Sequence, residues 1–175
     1  MLPKYLFVVL IVFQFQLATA QKMFSTSKDR ETGQKVLQGR INLSDLKQEP
    51  SFAWFNKNEN YQPDSPAIAF LSTELPKFDL IVFIGTWCED SQDLIPKLTK
   101  IISSTHFPES QLVMYGVNRE KNSGGVESDM FKIKRVPTFI LLKNRKEIGR
   151  IMEHVSTSLE TDLAYMIDTY YNKQQ

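Results

Sequence analysis

One sulfur atom occupies the most reactive kind of position this chain offers. Trp87-Cys88-Glu89-Asp90-Ser91 follows the apolar run Leu80-Ile81-Val82-Phe83-Ile84. A thiolate in such a place can attack a disulfide and hold the product as a mixed disulfide. Glu89 and Asp90 are like charges beside the sulfur and oppose its ionisation, although exposure to solvent screens them. The chain has 1 cysteine, so it closes no internal disulfide and builds no cysteine zinc site. With only His106 and His154 besides, no metal centre is expected. Ser91 has no histidine near it in the motif, which argues against triad chemistry. A lone buried cysteine is often an inert small hydrophobe; the local context is what favours reactivity here.

That context is set by the flanking elements. The run from Leu80 to Ile84 reads as a buried strand. Gln92 to Ser103 reads as an amphipathic helix with Leu94, Leu98, Ile101 and Ile102 on one face and Pro96 bending it. Cys88 therefore falls at the turn into a helix N-terminus, where unpaired N–H groups and the helix dipole favour a thiolate. Upstream, Val36 to Ile41 reads as a first strand. Ser44 reads as the N-cap of a helix through Asp45 and Leu46 toward Trp54 and Phe55, bent or interrupted at Pro50; Asn56 to Pro66 reads as a polar loop and Ala67 to Leu75 as a second helix. Downstream, Leu112 to Val117 reads as a buried strand, and Asp129 to Ile133 as a short helix. Phe139 to Leu142 and Ile148 to Met152 form a hairpin around Asn144-Arg145. Thr157 and Glu160 suggest a capping box for a last helix that buries Leu159, Leu163, Met166, Ile167 and Tyr170.

The first 20 residues have the pattern of a secretory signal: Lys4, an apolar stretch from Tyr5 to Phe15, and Ala18-Thr19-Ala20 as a cleavage site. The stretch is short for a membrane span, which needs about 20 apolar residues. No cysteine follows the cleavage point, so lipid attachment there is excluded. Residues 21–76 form an N-terminal extension that packs on the core, since Phe52, Trp54, Phe55, Phe70 and Leu71 are too apolar for a disordered tail. Residues 77–175 form the main domain. Removing Lys4 from 21 basic and 20 acidic residues leaves the charges balanced. Nucleic acid needs a clustered positive field and is not an expected partner.

Trp87 to Pro96 resembles the active-site turn and first helix of thioredoxin, including the tryptophan before the nucleophilic cysteine and the proline that kinks the helix. Arg135-Val136-Pro137-Thr138-Phe139-Ile140-Leu141-Leu142-Lys143-Asn144 is similar to the family's stretch around its cis-proline. The resemblance spans about residues 78–171. It implies a thioredoxin-like α/β fold: a central mixed β-sheet flanked by helices, here with an N-terminal helical extension. It gives Cys88 the attacking role and puts Ser91 where the resolving cysteine would stand, with its hydroxyl able to bond the thiolate. It places Trp87, Glu89, Asp90 and Ser91 in the active-site motif, and Val136, Pro137 and Glu153 along the substrate groove. Val82 stands where the family usually buries an aspartate, and Glu153, next to His154, where it favours glycine. Thr86 lacks the spacing of the peroxide-reducing branch.

The resemblance therefore implies an exported thiol–disulfide exchange protein that acts through Cys88 and an external resolving thiol, as a monothiol oxidoreductase or isomerase. The alternative is a non-catalytic thioredoxin-fold module that binds peptide or protein. The expected partner is a disulfide- or thiol-containing protein or small thiol. No cofactor is expected. A monomer in the periplasm or outside the cell is, with no stable membrane association after cleavage.

Overall fold

The structure, a computed structural model, describes residues 23–57 and 60–174. The leader read in residues 1–20 lies outside them. Six strands form one sheet: β1 (Phe24–Lys28), β2 (Lys35–Ile41), β3 (Asp79–Ile84), β4 (Leu112–Gly116), β5 (Thr138–Lys143) and β6 (Lys146–Met152). Five helices accompany them: α1 (Leu43–Lys47), α2 (Ser65–Glu74), α3 (Glu89–Thr105), α4 (Glu127–Met130) and α5 (Leu159–Asn172). The strand order is β1-β2-β4-β3-β5-β6, with β3 and β4 parallel and the other neighbours antiparallel. It is a mixed sheet flanked by helices.

Strand alternation sorts β3 between two apolar layers. Leu80, Val82 and Ile84 point to the layer with Leu71 of α2, Leu94 and Leu98 of α3, and Leu163 and Ile167 of α5. Ile81 and Phe83 point the other way, to Val117, Ile133, Val136 and Ile140, and Trp87 and Cys88 pack against this second layer. A strand buried on both faces reads as a continuous apolar run, which is why Leu80–Ile84 was legible. The β5–β6 turn uses Asn144 and Arg145 at φ 52 and 64, the positive values a two-residue hairpin turn requires.

The structure adds or corrects several local features. The extension contributes strands as well as helices: β1 precedes the strand expected at 36–41 and pairs with it, so that strand is the second. Asn42, not Ser44, caps α1: its side chain accepts from Asp45 N–H, and Asp45 returns the bond. Ser158, not Thr157, caps α5, accepting from Thr161 N–H at 3.3 Å. Glu160 instead turns inward, fully buried. It accepts the Tyr61 hydroxyl at 2.8 Å and Asp64 N–H at 2.9 Å, tying the start of α2 to α5.

Candidate active site

Cys88 is the N-cap residue of α3, with extended backbone (φ −93, ψ 124), and its N–H donates to Gly85 O at 2.9 Å. The helix that follows holds Glu89 and Asp90 in its first turn. Glu89 is exposed, whereas Cys88 and Asp90 are half-buried. The Cys88 thiol donates to the carbonyl oxygen of Val136 at 3.2 Å. The Val136–Pro137 peptide is cis, and Pro137 O accepts from Glu153 N–H at 2.7 Å. The turn after β3 and the approach to β5 thus meet at the sulfur, and the residue after β6 bonds the approach to β5. Val82, in the middle of β3, is fully buried among apolar side chains.

Ser91 lies one turn into α3 and is fully buried. Its hydroxyl oxygen accepts from Gly85 N–H at 3.2 Å. The first helical turn thus aims this oxygen back at the end of β3.

Trp87 is half-buried beside the sulfur and donates its indole N–H to Val117 O at 3.0 Å. Its ring lies so close to Gly85 that a Cβ there would sit 2.7 Å from the indole, so only glycine fits. The guanidinium of Arg119 lies 4.7 Å and the ammonium of Lys121 5.2 Å from the ring centroid, cation–π distances. Arg119 in turn forks onto Asp29, Nε to Oδ2 at 2.6 Å and Nη2 to Oδ1 at 2.9 Å, and reaches Glu31 at 2.8 Å. Asp29 is buried, and the Arg119 bonds hold its carboxyl far below the usual range against the opposing effect of burial.

Acidic side chains also gather at the start of α3 and just after β6. His154 Nδ1 lies 3.7 Å from Asp90 and its Nε2 lies 3.8 Å from Glu153, while Glu153 pairs with Arg135. Glu153 has φ 64, a backbone state natural to glycine. Asp90, Glu153 and His154 present ligand-type atoms within 4.8 Å of one another. His154 is exposed, and Glu153 pairs with Arg135.

Sequence reasoning missed Asp29, Thr86 and Arg119. Thr86 is fully buried; its hydroxyl donates to Lys35 O at 2.8 Å and accepts from Leu37 N–H at 3.3 Å. Gln92 continues this seam, bonding Gln34 at 3.0 Å and Thr86 O at 2.9 Å. All three missed residues act across tens of residues of chain, and no local pattern announces such contacts. The one available signal for Thr86 was a polar residue at the end of an apolar strand.

A mixed sheet with a helix-capping cysteine facing a cis-proline defines the thioredoxin-like class of α/β proteins. The Thioredoxin family model matches residues 72–167, more than half of the 175-residue chain, and the chain belongs to that family, whose members work by thiol–disulfide exchange. Among solved structures it is similar to mitochondrial thioredoxin 3 from Saccharomyces cerevisiae in its oxidized form (24% identity, 55% of this chain and 81% of that chain covered, TM-score 0.40). It is also similar to thioredoxin 2 from Pseudomonas aeruginosa PAO1 in its reduced form (24% identity, 65% and 95% covered, TM-score 0.37). No curated protein sequence matches the chain.

Proposed function

We propose that this protein is an exported monothiol exchange protein in which Cys88 is the nucleophile and the resolving thiol comes from outside the chain. The observation that carries the reading is the 3.2 Å contact between Cys88 Sγ and Val136 O beside cis-Pro137, at the start of a long helix. A substrate strand laid along Val136 brings its disulfide to the sulfur. The Cys88 thiolate attacks one sulfur of R–S–S–R′, forming Cys88–S–S–R and releasing R′–S⁻, which takes up a proton. A second thiol, R″–SH, then attacks the sulfur bonded to R, forming R–S–S–R″ and breaking the bond to Cys88, which leaves with the proton as the thiol. The net change is exchange of one thiol for another, with the protein unchanged. When R″ belongs to the substrate, the result is isomerisation. The second step has to be intermolecular with respect to this chain, since Ser91 supplies a hydroxyl that cannot form a disulfide. An oxidising compartment reached through the residue 1–20 leader provides the disulfides.

Incubation of the reduced protein with a small disulfide, followed by intact mass measurement, tests the reading. A mixed disulfide on the wild type that is lost in Cys88→Ala supports it. Absence of any adduct, with peptide binding retained in Cys88→Ala, replaces it with the non-catalytic binding module.

A further inference from the structure

The N-terminal hairpin lies outside residues 72–167, the segment that the family model matches. Yet its contacts reach the cysteine turn, the start of α3 and the loop beside them: Lys35 and Leu37 to Thr86, Gln34 to Gln92, and Asp29 to Arg119 of the loop after β4. The third differs in kind from the other two. Thr86 and Gln92 close backbone and amide bonds that any tight turn requires. Asp29 instead places a charge, because Arg119 stands between the hairpin and the ring of Trp87, the residue adjoining Cys88.

The geometry of that link is over-determined. The turn at residues 29–34 folds around the Asp29 carboxylate, which accepts Thr32 N–H at 2.8 Å and the Thr32 hydroxyl at 2.7 Å. Gly33, at φ 70, closes the turn. The remaining acceptor capacity of the carboxylate faces Arg119 in the bidentate fork, the arrangement that fixes the guanidinium plane as well as its position. Glu31 Oε2 engages Nη1. The guanidinium so held lies over the Trp87 ring, and the ring is held in turn by its bond to Val117 O and its packing on Gly85.

We propose that Arg119, held by Asp29 and Glu31 of the β1–β2 turn, is a positioning residue of the active site that both fixes the Trp87 ring and sets the charge felt at the Cys88 sulfur. On this reading the hairpin completes the active site. The inference rests on Cys88 being the reacting sulfur, and it concerns what the hairpin adds. Lys121 stacks on the same ring, and Glu89 and Asp90 flank the sulfur from α3, so the Arg119 effect is measured against a mixed background.

The test uses the full chain and two readouts. The first is the rate of Cys88 alkylation by iodoacetate, an anion, relative to iodoacetamide, which is neutral. The second is acrylamide quenching of tryptophan emission, to which Trp54, only 6% exposed, contributes a shielded background. Arg119→Gln is expected to lower the iodoacetate-to-iodoacetamide ratio about threefold, the size of one unit charge acting across a half-exposed surface, and to raise Trp87 quenching. Asp29→Asn, which removes the counter-charge, is expected to raise the ratio while also raising quenching. Arg119→Lys keeps the charge without the fork, so the ratio stays near wild type while quenching rises. A merely structural role would change both reagents alike in every variant, and that result overturns the proposal. A variant set that moves only one of the two readouts overturns it as well. Failure of the wild-type thiol to react with either reagent would instead remove the exchange function, and is separately visible.

Discussion

At position 91 a hydroxyl stands where a dithiol protein needs a second sulfur, and its burial defines a clean substitution. Ser91→Cys keeps the size of the side chain and places a thiol at the C-x-x-C spacing from Cys88. Mild oxidation of this variant is expected to reduce its titratable thiols from two to none, whereas the wild type stays at one. Reduced Ser91→Cys should lose about 1 kcal/mol, because Gly85 N–H exchanges a hydroxyl acceptor for a poorer sulfur one. Thiol titration and denaturant melts read both quantities. Gly85→Ala is the matching steric probe. Its Cβ would meet the indole at 2.7 Å, so the ring must move and tryptophan emission should shift.

At the scale of elements, buried and half-buried carboxylates join separate segments and give stability a definite pH dependence. Arg119 draws the Asp29 carboxyl far down. The Lys35 ammonium, helped by the Ser51 hydroxyl, brings Glu49 down to about 2. Lys77 and then Tyr171 lower Glu74. Burial pushes Glu160 upward, but Asp64 N–H and the neighbouring hydrogen bonds outweigh it and the net direction is down. A carboxyl whose folded pKa lies below its unfolded value stabilises the fold above the unfolded pKa and loses that contribution as pH falls through the folded value. Thermal melts should therefore hold steady at neutral pH and fall progressively below about pH 4.5, the ordinary carboxylate range. Glu49→Gln should be less stable at pH 7 and show a shallower acid limb. The tyrosines predict the opposite limb. Burial, with Glu74 beside it, pushes Tyr171 up to about 12, and burial with Glu160 does the same to Tyr61. Their contribution is complete below pH 10 and is lost as pH rises toward 12. Tyr171→Phe should lose about 2 kcal/mol at pH 7 with the bond to Glu74, and should flatten the alkaline limb.

At the scale of the whole molecule, α1 and α2 share one apolar layer with α3 and α5. Leu46 of α1 and Leu71 of α2 are both fully buried in it. Leu46→Ala is expected to cost about 2–4 kcal/mol, the range for a large-to-small change in a closed core. The two tryptophans supply independent probes, since Trp54 lies in the extension and Trp87 beside Cys88. Denaturant unfolding followed in Trp54→Phe and in Trp87→Phe should report one coincident transition for each variant across all probes. Separate midpoints for tryptophan emission and helix content within one variant would show that the extension unfolds independently.

The sequence by itself determined what is periodic or local. An unbroken apolar run gave β3, a 3.6-residue stripe gave α3 and α5, and Asn144-Arg145 between two apolar runs gave the hairpin. Cys88 at a strand-to-helix turn was legible for the same reason, because both neighbours announce themselves within a few residues. Tertiary structure alone decided which distant groups meet there. β1, whose residues Phe24–Lys28 are nearly all exposed, carries little apolar signal and forms because β2 offers it an edge. Glu160 reads as a capping residue until Tyr61 and Asp64 claim its carboxylate. Asp29 and Arg119 look like ordinary surface charges in a one-dimensional reading. Only β2 pairing with β4 brings the turn at 29–34 to the loop after β4, and with it an ion pair to the tryptophan beside Cys88.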